Sequence, residues 1–401
     1  MRILILTQYF WPESFRINDL ALALKERGHE VTIFTGKPNY PRGKFSEGYT
    51  FFNKRTEYWN DIKIYRAPII PRGKGKGLIL FINYISFVIF ASIGLLFIRN
   101  KFDKIFVYEP SPITIGIPGI VAKFKFKAPI YFWVQDLWPE AISASGGVKN
   151  KMILSIFNEL TKFIYRHCHK ILLSSRSFKA YILNQNISEE KLVYFPNTTE
   201  SYFQQLSPNL ELLNSLPSGP KIMFAGNLGE SQGFNTLLDA AFILKNKKIK
   251  LSWIILGEGR MKNYLVQRVK ELELLDCFHL LGSYPSTEMP NFYSCADALI
   301  VSLKRDRIFG LTIPSKVQSY LACGKPILAS IDGEGARVIK EAEAGLTCRA
   351  EDPEALVTIV QEFLSLSQIK RHEMGNKARE YFEKEFDREV LMNKLENILN
   401  H

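Results

Sequence analysis

Short apolar runs alternate with helical patterns along almost the whole of this chain. That alternation is the strongest constraint on its fold, because strands spaced by crossover helices build a parallel sheet. In the first half the apolar runs predict strands near 3–6, 31–34, 62–66, 105–107, 130–134, 171–174 and 192–195. A helix is expected over 17–27, with Leu20, Leu22, Ala23 and Leu24 apolar and Gly28 as its C-cap. A polar stretch containing Pro and Asn, 196–220, reads as a linker. The pattern then restarts, with strands near 221–225, 251–256, 278–281, 298–302 and 326–329. At 401 residues the chain is too long for one hydrophobic core. The expectation is therefore two α/β domains, 1–200 and 201–381; the charged, amphipathic end Arg371–Leu399 reads either as a long surface helix or as one that crosses back to brace the first domain.

Hydrophobic residues make up 46% and charged residues 23%, which excludes a disordered chain, a collagen and a multi-span membrane protein. The formal charge of +12 is unevenly spread. Residues 1–200 hold 28 basic and 15 acidic side chains, and the remainder 24 and 25. An excess confined to one half suggests that one domain faces an anionic partner. Five cysteines, with no C-x-x-C pair, indicate neither a disulfide framework nor a zinc ribbon. The cluster Arg166-His167-Cys168-His169-Lys170 reads as a helix end, since its spacing fits no common zinc site. The opening Met1–Leu6 is too short for a signal-peptide core, so a cytoplasmic protein is expected.

The segment Leu78–Ile98 is long enough to span a bilayer and carries no charge. Arg72, Lys74 and Lys76 precede it and Arg99 and Lys101 follow, so the positive-inside bias gives no orientation. A span would also put the strands at 62–66 and 105–107 on opposite sides of the membrane. Three readings stay open: a buried crossover helix, a helix lying in the bilayer interface with its basic flanks on lipid phosphates, and a true span. Phe81, Phe87, Phe90, Phe97 and the positive first half favour the interface.

Ligands of open α/β sheets bind beyond the carboxyl ends of the strands. The loop after the first strand offers Trp11, Glu13, Arg16 and Asn18; the loop after the second offers Lys37 and Tyr40. Asp136, between two tryptophans after the fifth, could contact an acceptor hydroxyl or cap the next helix. In the second half, Gly226-Asn227-Leu228-Gly229-Glu230-Ser231-Gln232-Gly233 lies between strand and helix, where glycines let backbone N–H groups approach a phosphate. It lacks the order of a P-loop. Gly257 and Gly259 repeat the pattern weakly. Lys304, Arg305, Asp306 and, further on, Lys316 would suit a diphosphate, or form a solvated charge run. No D-x-D triplet occurs.

Taken together, Gln8–Val31, Thr35–Pro41, Gln135–Glu140, Phe224–Gly233 and Ile313–Leu328 resemble family 4 glycosyltransferases, in particular the bacterial O-antigen and capsule subgroup similar to N-acetyl-L-fucosamine transferases. The resemblance implies a GT-B fold: two Rossmann-like domains facing across a cleft, with the C-terminal helix, 382–401, crossing back to the first. It implies a retaining, metal-independent transferase without a cofactor. The second domain would hold a UDP-sugar, and the first an acceptor saccharide on polyprenyl diphosphate at the inner face of the cell membrane. Members usually carry a Glu-x7-Glu pair at the donor site; here those positions are Leu311 and Ser319. Asn227 and Gln232 stand where many relatives have Arg and Lys, and Gln135 replaces a common histidine.

By that likeness Asp136, Glu13 and Lys316 are the catalytic candidates. Gly226, Asn227, Gln232, Gly257, Gly259, Lys304, Arg305, Asp306, Lys316, Gln318 and Ser319 would bind the donor. Trp11, Glu13, Arg16, Asn18, Lys37, Tyr40 and Asp136 would bind the acceptor. A UDP-sugar epimerase of the same architecture is the rival enzyme reading. A nucleic-acid-binding protein is the rival outside enzymes, disfavoured because the loops form no continuous basic stripe with interleaved aromatics.

Overall fold

The computed structural model describes residues 1–75, 77–144 and 150–400, so Lys76 lies outside the described residues. The chain forms two compact units, Met1–Asn197 with the chain from Met392, and Thr198–Leu391. Each is built on its own sheet.

In the first unit the strands are β1 (Arg2–Leu6), β2 (Glu30–Gly36), β3 (Thr56–Trp59), β4 (Ile62–Ala67), β5 (Lys104–Glu109), β6 (Ile130–Val134), β7 (Lys170–Leu173) and β8 (Leu192–Tyr194). Their order is β3-β4-β2-β1-β5-β6-β7-β8. All neighbours are parallel except β3 and β4. In the second unit β9 (Lys221–Ala225), β10 (Ser252–Leu256), β11 (Phe278–Gly282), β12 (Ala298–Ser302), β13 (Ile327–Ser330) and β14 (Gly345–Cys348) run parallel in the order β11-β10-β9-β12-β13-β14. The central strands are buried on both faces and read as continuous Ile/Leu/Val/Phe runs, as a sheet covered on two sides requires. The edges β3 and β14 lack such runs and were invisible to the apolar pattern.

Strand order reverses at β1, between β2 and β5, and at β9, between β10 and β12. Those reversals open a crevice at the carboxyl ends of each sheet. Both glycine- and aromatic-rich loops singled out in the sequence emerge there.

Three expectations shift. The stretch 196–220 is no free linker: Phe203 and Leu216 are buried in the core of the second unit, and Phe203 stacks on Tyr293 at 6.1 Å. The C-terminal stretch breaks at Phe386 into two helices, Gln368–Glu385 and Arg388–Asn400. Ala378, Phe382 and Phe386 belong to the core of the second unit, so the chain returns to the first only from Met392 rather than from 382. There Leu395 and Leu399 are fully buried, Glu396 pairs with Arg27 at 2.8 Å, and the Tyr131 hydroxyl donates to the Leu399 carbonyl.

The third shift concerns the apolar segment, which is the helix Gly77–Phe97 joining β4 to β5. Since both strands lie in one sheet, the helix is a crossover. Its buried face is Asn83, Ser86, Phe87, Ala91 and Leu95, so Phe87 points inward, against the expectation drawn from it. Leu78, Ile79, Phe81, Ile82, Ile89, Ile93, Leu96 and Phe97 are exposed. Most of its length is left uncovered by the protein. The buried face thus mixes two polar residues, Asn83 and Ser86, with Phe87, Ala91 and Leu95, while the exposed face is apolar.

Candidate active site

In the second unit the turn after β9 is forced close to its neighbours. Gly226 has φ +141 and Gly257, after β10, φ +142, a region that L side chains rarely enter. A Cβ on Gly257 would sit 1.9 Å from the Gly226 carbonyl oxygen, and one on Gly259 2.4 Å from that of Leu228. The Leu228 amide donates to the Glu258 carbonyl, and the Met261 amide to Leu228. Gly257 and Gly259 therefore buttress the first glycine turn from behind instead of offering a second phosphate cradle.

Beside that turn lies Lys316, on the helix Ser315–Ala322. A Cβ on Gly226 would meet its Cε at 2.7 Å. The Nζ lies 4.4 Å from the centre of the Phe224 ring and donates to Gln232 Oε1 at 2.5 Å. No carboxylate pairs with Lys316 among the described residues. Burial lowers its pKa to about 8. Lys316, Gln232 and the exposed Gly226 and Asn227 thus form one group, with the N-terminus of the helix Phe234–Asn246 behind them.

The remaining donor candidates separate. The Lys304 amide donates to the Ser231 carbonyl, which fixes the loop after β12 against the glycine turn and leaves the Lys304 side chain exposed. Arg305 turns toward β14, donating to the Ala350 carbonyl at 2.9 Å and lying 3.7 Å from Asp332. Asp306 caps the helix Arg307–Leu311 through the Ile308 amide at 2.7 Å. Gln318 is buried, and the Ser319 hydroxyl is engaged with Thr199 Oγ1 at 3.2 Å and the Ser315 carbonyl at 3.1 Å. Arg305, Asp306 and Ser319 are therefore occupied with the protein itself.

In the first unit, Glu13 is buried and its Oε1 accepts from the amides of Asn39 (2.7 Å) and Tyr40 (2.6 Å). Burial pushes its pKa up to about 7 in spite of those two bonds. Asn18 Nδ2 donates to the Glu13 carbonyl at 2.7 Å. These two residues clamp the loop after β2 onto the loop after β1. Lys37 corrects the sequence reading: it is fully buried, and its Nζ donates to the Asn53 and Lys54 carbonyls, so it straps a loop and presents no charge to a ligand. What the clamp displays is aromatic. Tyr40 is 42% exposed and packs with Tyr9 and Phe15, at 5.8 and 5.2 Å, while Trp11 stacks on Trp59. Arg16 is half-buried, and its positive charge tempers the rise that burial imposes on the Tyr108 hydroxyl pKa.

Asp136, half-buried at the end of β6, has its pKa raised to about 6 by burial. Neighbouring Gln135 accepts from Asn197 Nδ2 at 2.8 Å. Sequence reasoning missed Glu109 at the end of β5. It is fully buried, and neither carboxylate oxygen has a well-formed hydrogen bond among the described residues. Burial first, and then the Asp136 charge, raise its pKa well above the ordinary value, against weaker opposing pulls from the amides of Asp136 and Gln135 and the side chain of Trp138. A lone acid ending an otherwise apolar strand was the available signal.

Two crevices, one with a preorganised cation beside a glycine turn and one with carboxyls among aromatics, fit transfer of a phosphate-activated sugar. Known proteins point the same way. Residues 14–198 match the family model described as glycosyl transferase 4-like domain, and 213–381 that of glycosyl transferases group 1. The chain belongs to the group 1 (family 4) glycosyltransferases. It is thus an enzyme of a retaining family with the GT-B fold. This glycosyltransferase is 25% identical over 415 residues, 99% of each chain, to an Escherichia coli K12 protein whose name assigns it to colanic acid biosynthesis, the glycosyl transferase WcaI. It is 28% identical to WbjE of Pseudomonas aeruginosa, named as a glycosyltransferase, over 64% of this chain and 65% of that protein. Among solved structures, HepE of Anabaena in complex with UDP matches with a TM-score of 0.69 at 14% identity, each chain covered completely.

Proposed function

We propose that this enzyme moves a sugar, of the N-acetylated amino-sugar type, from a UDP-sugar to a saccharide carried on polyprenyl diphosphate, in the assembly of a bacterial surface polysaccharide. The observation that carries the donor half is Lys316: a partly buried ammonium without a carboxylate among the described residues, held by Gln232 and Phe224 against the backbone of Gly226. Such a cation awaits an anion, and it stands where the strand order reverses. The solved relative with UDP, and the colanic acid name, support the choice of donor and pathway class.

In the reaction the bond between the sugar C1 and the diphosphate oxygen breaks while the acceptor oxygen bonds to C1 on the same face. The acceptor proton passes to the departing diphosphate. Lys316 neutralises charge as it develops on the leaving oxygen, and electrostatic stabilisation of that kind is usually what lowers such a barrier most. Asp136 accepts from the acceptor hydroxyl and orients it, and its raised pKa leaves it mostly ionised at neutral pH. Glu13 acts one step back, as the clamp that positions Tyr40.

For the acceptor half, the outward apolar face of Gly77–Phe97 is proposed to lie in the inner leaflet of the cell membrane, where a prenyl chain would be. An interfacial helix explains both faces: Asn83 and Ser86 are satisfied inside, and Leu78, Phe81 and Ile82 face out. Thermal-shift screening of UDP-sugars, followed by assays with short polyprenyl-diphosphate saccharides, tests the reading. Lys316→Met should weaken UDP binding and cut turnover about 100-fold or more. Unchanged donor Kd and turnover would end the Lys316 role, and epimerised UDP-sugar formed without acceptor would favour the epimerase.

A further inference from the structure

The head of the apolar helix carries cations that the catalytic reading does not use. Arg72 is half-buried, with its guanidinium carbon 4.9 Å from the centre of the Tyr40 ring and 5.8 Å from that of Tyr9. Its backbone amide donates to Asn39 Oδ1 at 3.0 Å, the residue that Glu13 clamps. Of its five side-chain donors only Nη1 has a partner among the described residues, the Tyr9 hydroxyl at a long 3.4 Å. The Gly73 amide donates to the Gly43 carbonyl at 3.1 Å, which sets the loop bearing Arg42 and Lys44 beside the loop bearing Arg72 and Lys74. None of these four cations has a carboxylate partner among the described residues, and Glu47 is the acid closest to them in sequence. Four residues beyond Lys74 the chain presents Leu78 and then Phe81 and Ile82 outward.

A guanidinium fixed on two tyrosines and left with free donors is built for a bidentate oxyanion. On one side of it stands Tyr40, an exposed ring suited to a sugar face; on the other begins an apolar surface. We propose that Arg72, supported by Lys74, binds the diphosphate of the acceptor. The saccharide then lies toward Tyr40 and Asp136, and the prenyl chain along the exposed face of Gly77–Phe97. This rests on the proposed lipid-linked acceptor and assigns its charged junction to named residues. The chemistry recognised is a diphosphate ester with an apolar tail. Ordinary anionic headgroups share the charge but not the two adjacent phosphates.

The test is vesicle flotation with neutral phosphatidylcholine alone, with farnesyl diphosphate added, or with phosphatidylglycerol added to equal charge. The protein should partition at least tenfold better onto farnesyl diphosphate vesicles than onto phosphatidylglycerol ones. Arg72→Gln should remove most of that preference, and the exposed Lys74→Gln, which cannot disturb the fold, part of it. In transfer assays the KM preference for a diphosphate-linked saccharide over its uncharged alkyl glycoside should fall about 10- to 100-fold in Arg72→Gln. Equal recruitment by phosphatidylglycerol, or equal losses on both acceptors, would overturn the assignment and leave the parent reading standing. Selective farnesyl diphosphate binding lost in Arg72→Gln, without transfer to any lipid-linked saccharide, would uphold the site and sink the parent reading instead.

Discussion

Replacing Glu109 with Gln probes the most unusual group in the first unit. Its carboxyl is fully enclosed, without a well-formed hydrogen bond among the described residues, and the Asp136 charge adds to the burial that raises its pKa. In the folded protein it therefore keeps its proton to a pH well above the value, about 4.5, at which it ionises in the unfolded chain. The folded state then holds one proton more than the unfolded state. Stability falls as pH rises through that window, by about 1.4 kcal/mol per pH unit for this group. Glu109→Gln keeps the shape and the neutral charge but removes the linkage. Measured against the parent, the variant should gain about 1.4 kcal/mol per unit between about pH 5 and the folded pKa of Glu109. For a unit of this size that is roughly 3–5 °C in Tm per pH unit. Contributions from Asp136 and Glu13 are common to both proteins and cancel in the difference. Chemical denaturation at about pH 5, 6, 7 and 8, followed by tryptophan fluorescence, reads it directly. A difference that stays flat with pH, or falls, would mean an ionised Glu109 and would refute the reasoning.

Three further outcomes follow from the geometry. Because Lys316 must be charged to hold a diphosphate and its pKa sits near 8, UDP affinity should decline above pH 8 by up to about tenfold per unit; Lys316→Arg should flatten the calorimetric profile. Gly257→Ala would place a methyl 1.9 Å from the Gly226 carbonyl oxygen at φ +142, so the second unit should lose upward of about 3 kcal/mol in urea melts, with UDP binding lost alongside. Asn83→Leu would strip Gln8 Nε2 of its acceptor at 2.8 Å and the Ile70 carbonyl of its donor at 2.5 Å, costing the first unit about 2–4 kcal/mol. If that variant melts like the parent, the inward polar face of the apolar helix is wrong.

Keeping Glu109 neutral has a functional side. Two ionised carboxylates at adjacent strand ends would repel, and Asp136 would then be driven further from ionisation. Over the pH range in which Glu109 keeps its proton, Asp136 can carry the charge that the proposed acceptor contact requires without that repulsion.

The sequence by itself determined the two parallel sheets, since β1, β5, β6, β9, β10 and β12 are buried almost throughout and so had to be written as nearly unbroken apolar runs. It also placed Gly226, Gln232, Lys316, Tyr40 and Asp136 on strand-end loops or just beyond them, because a strand's end is marked where apolar residues stop. Only the tertiary structure decided which charges are free. Lys37 and Lys316 look alike in the sequence, yet one is spent on two backbone carbonyls and the other faces Gln232 and an aromatic ring. Periodicity likewise could not show that Asn83 and Ser86 turn inward while Phe81 and Ile82 turn out, for the helix is apolar nearly all round. Hydrogen-bond partners come from residues far along the chain, and no local pattern records them.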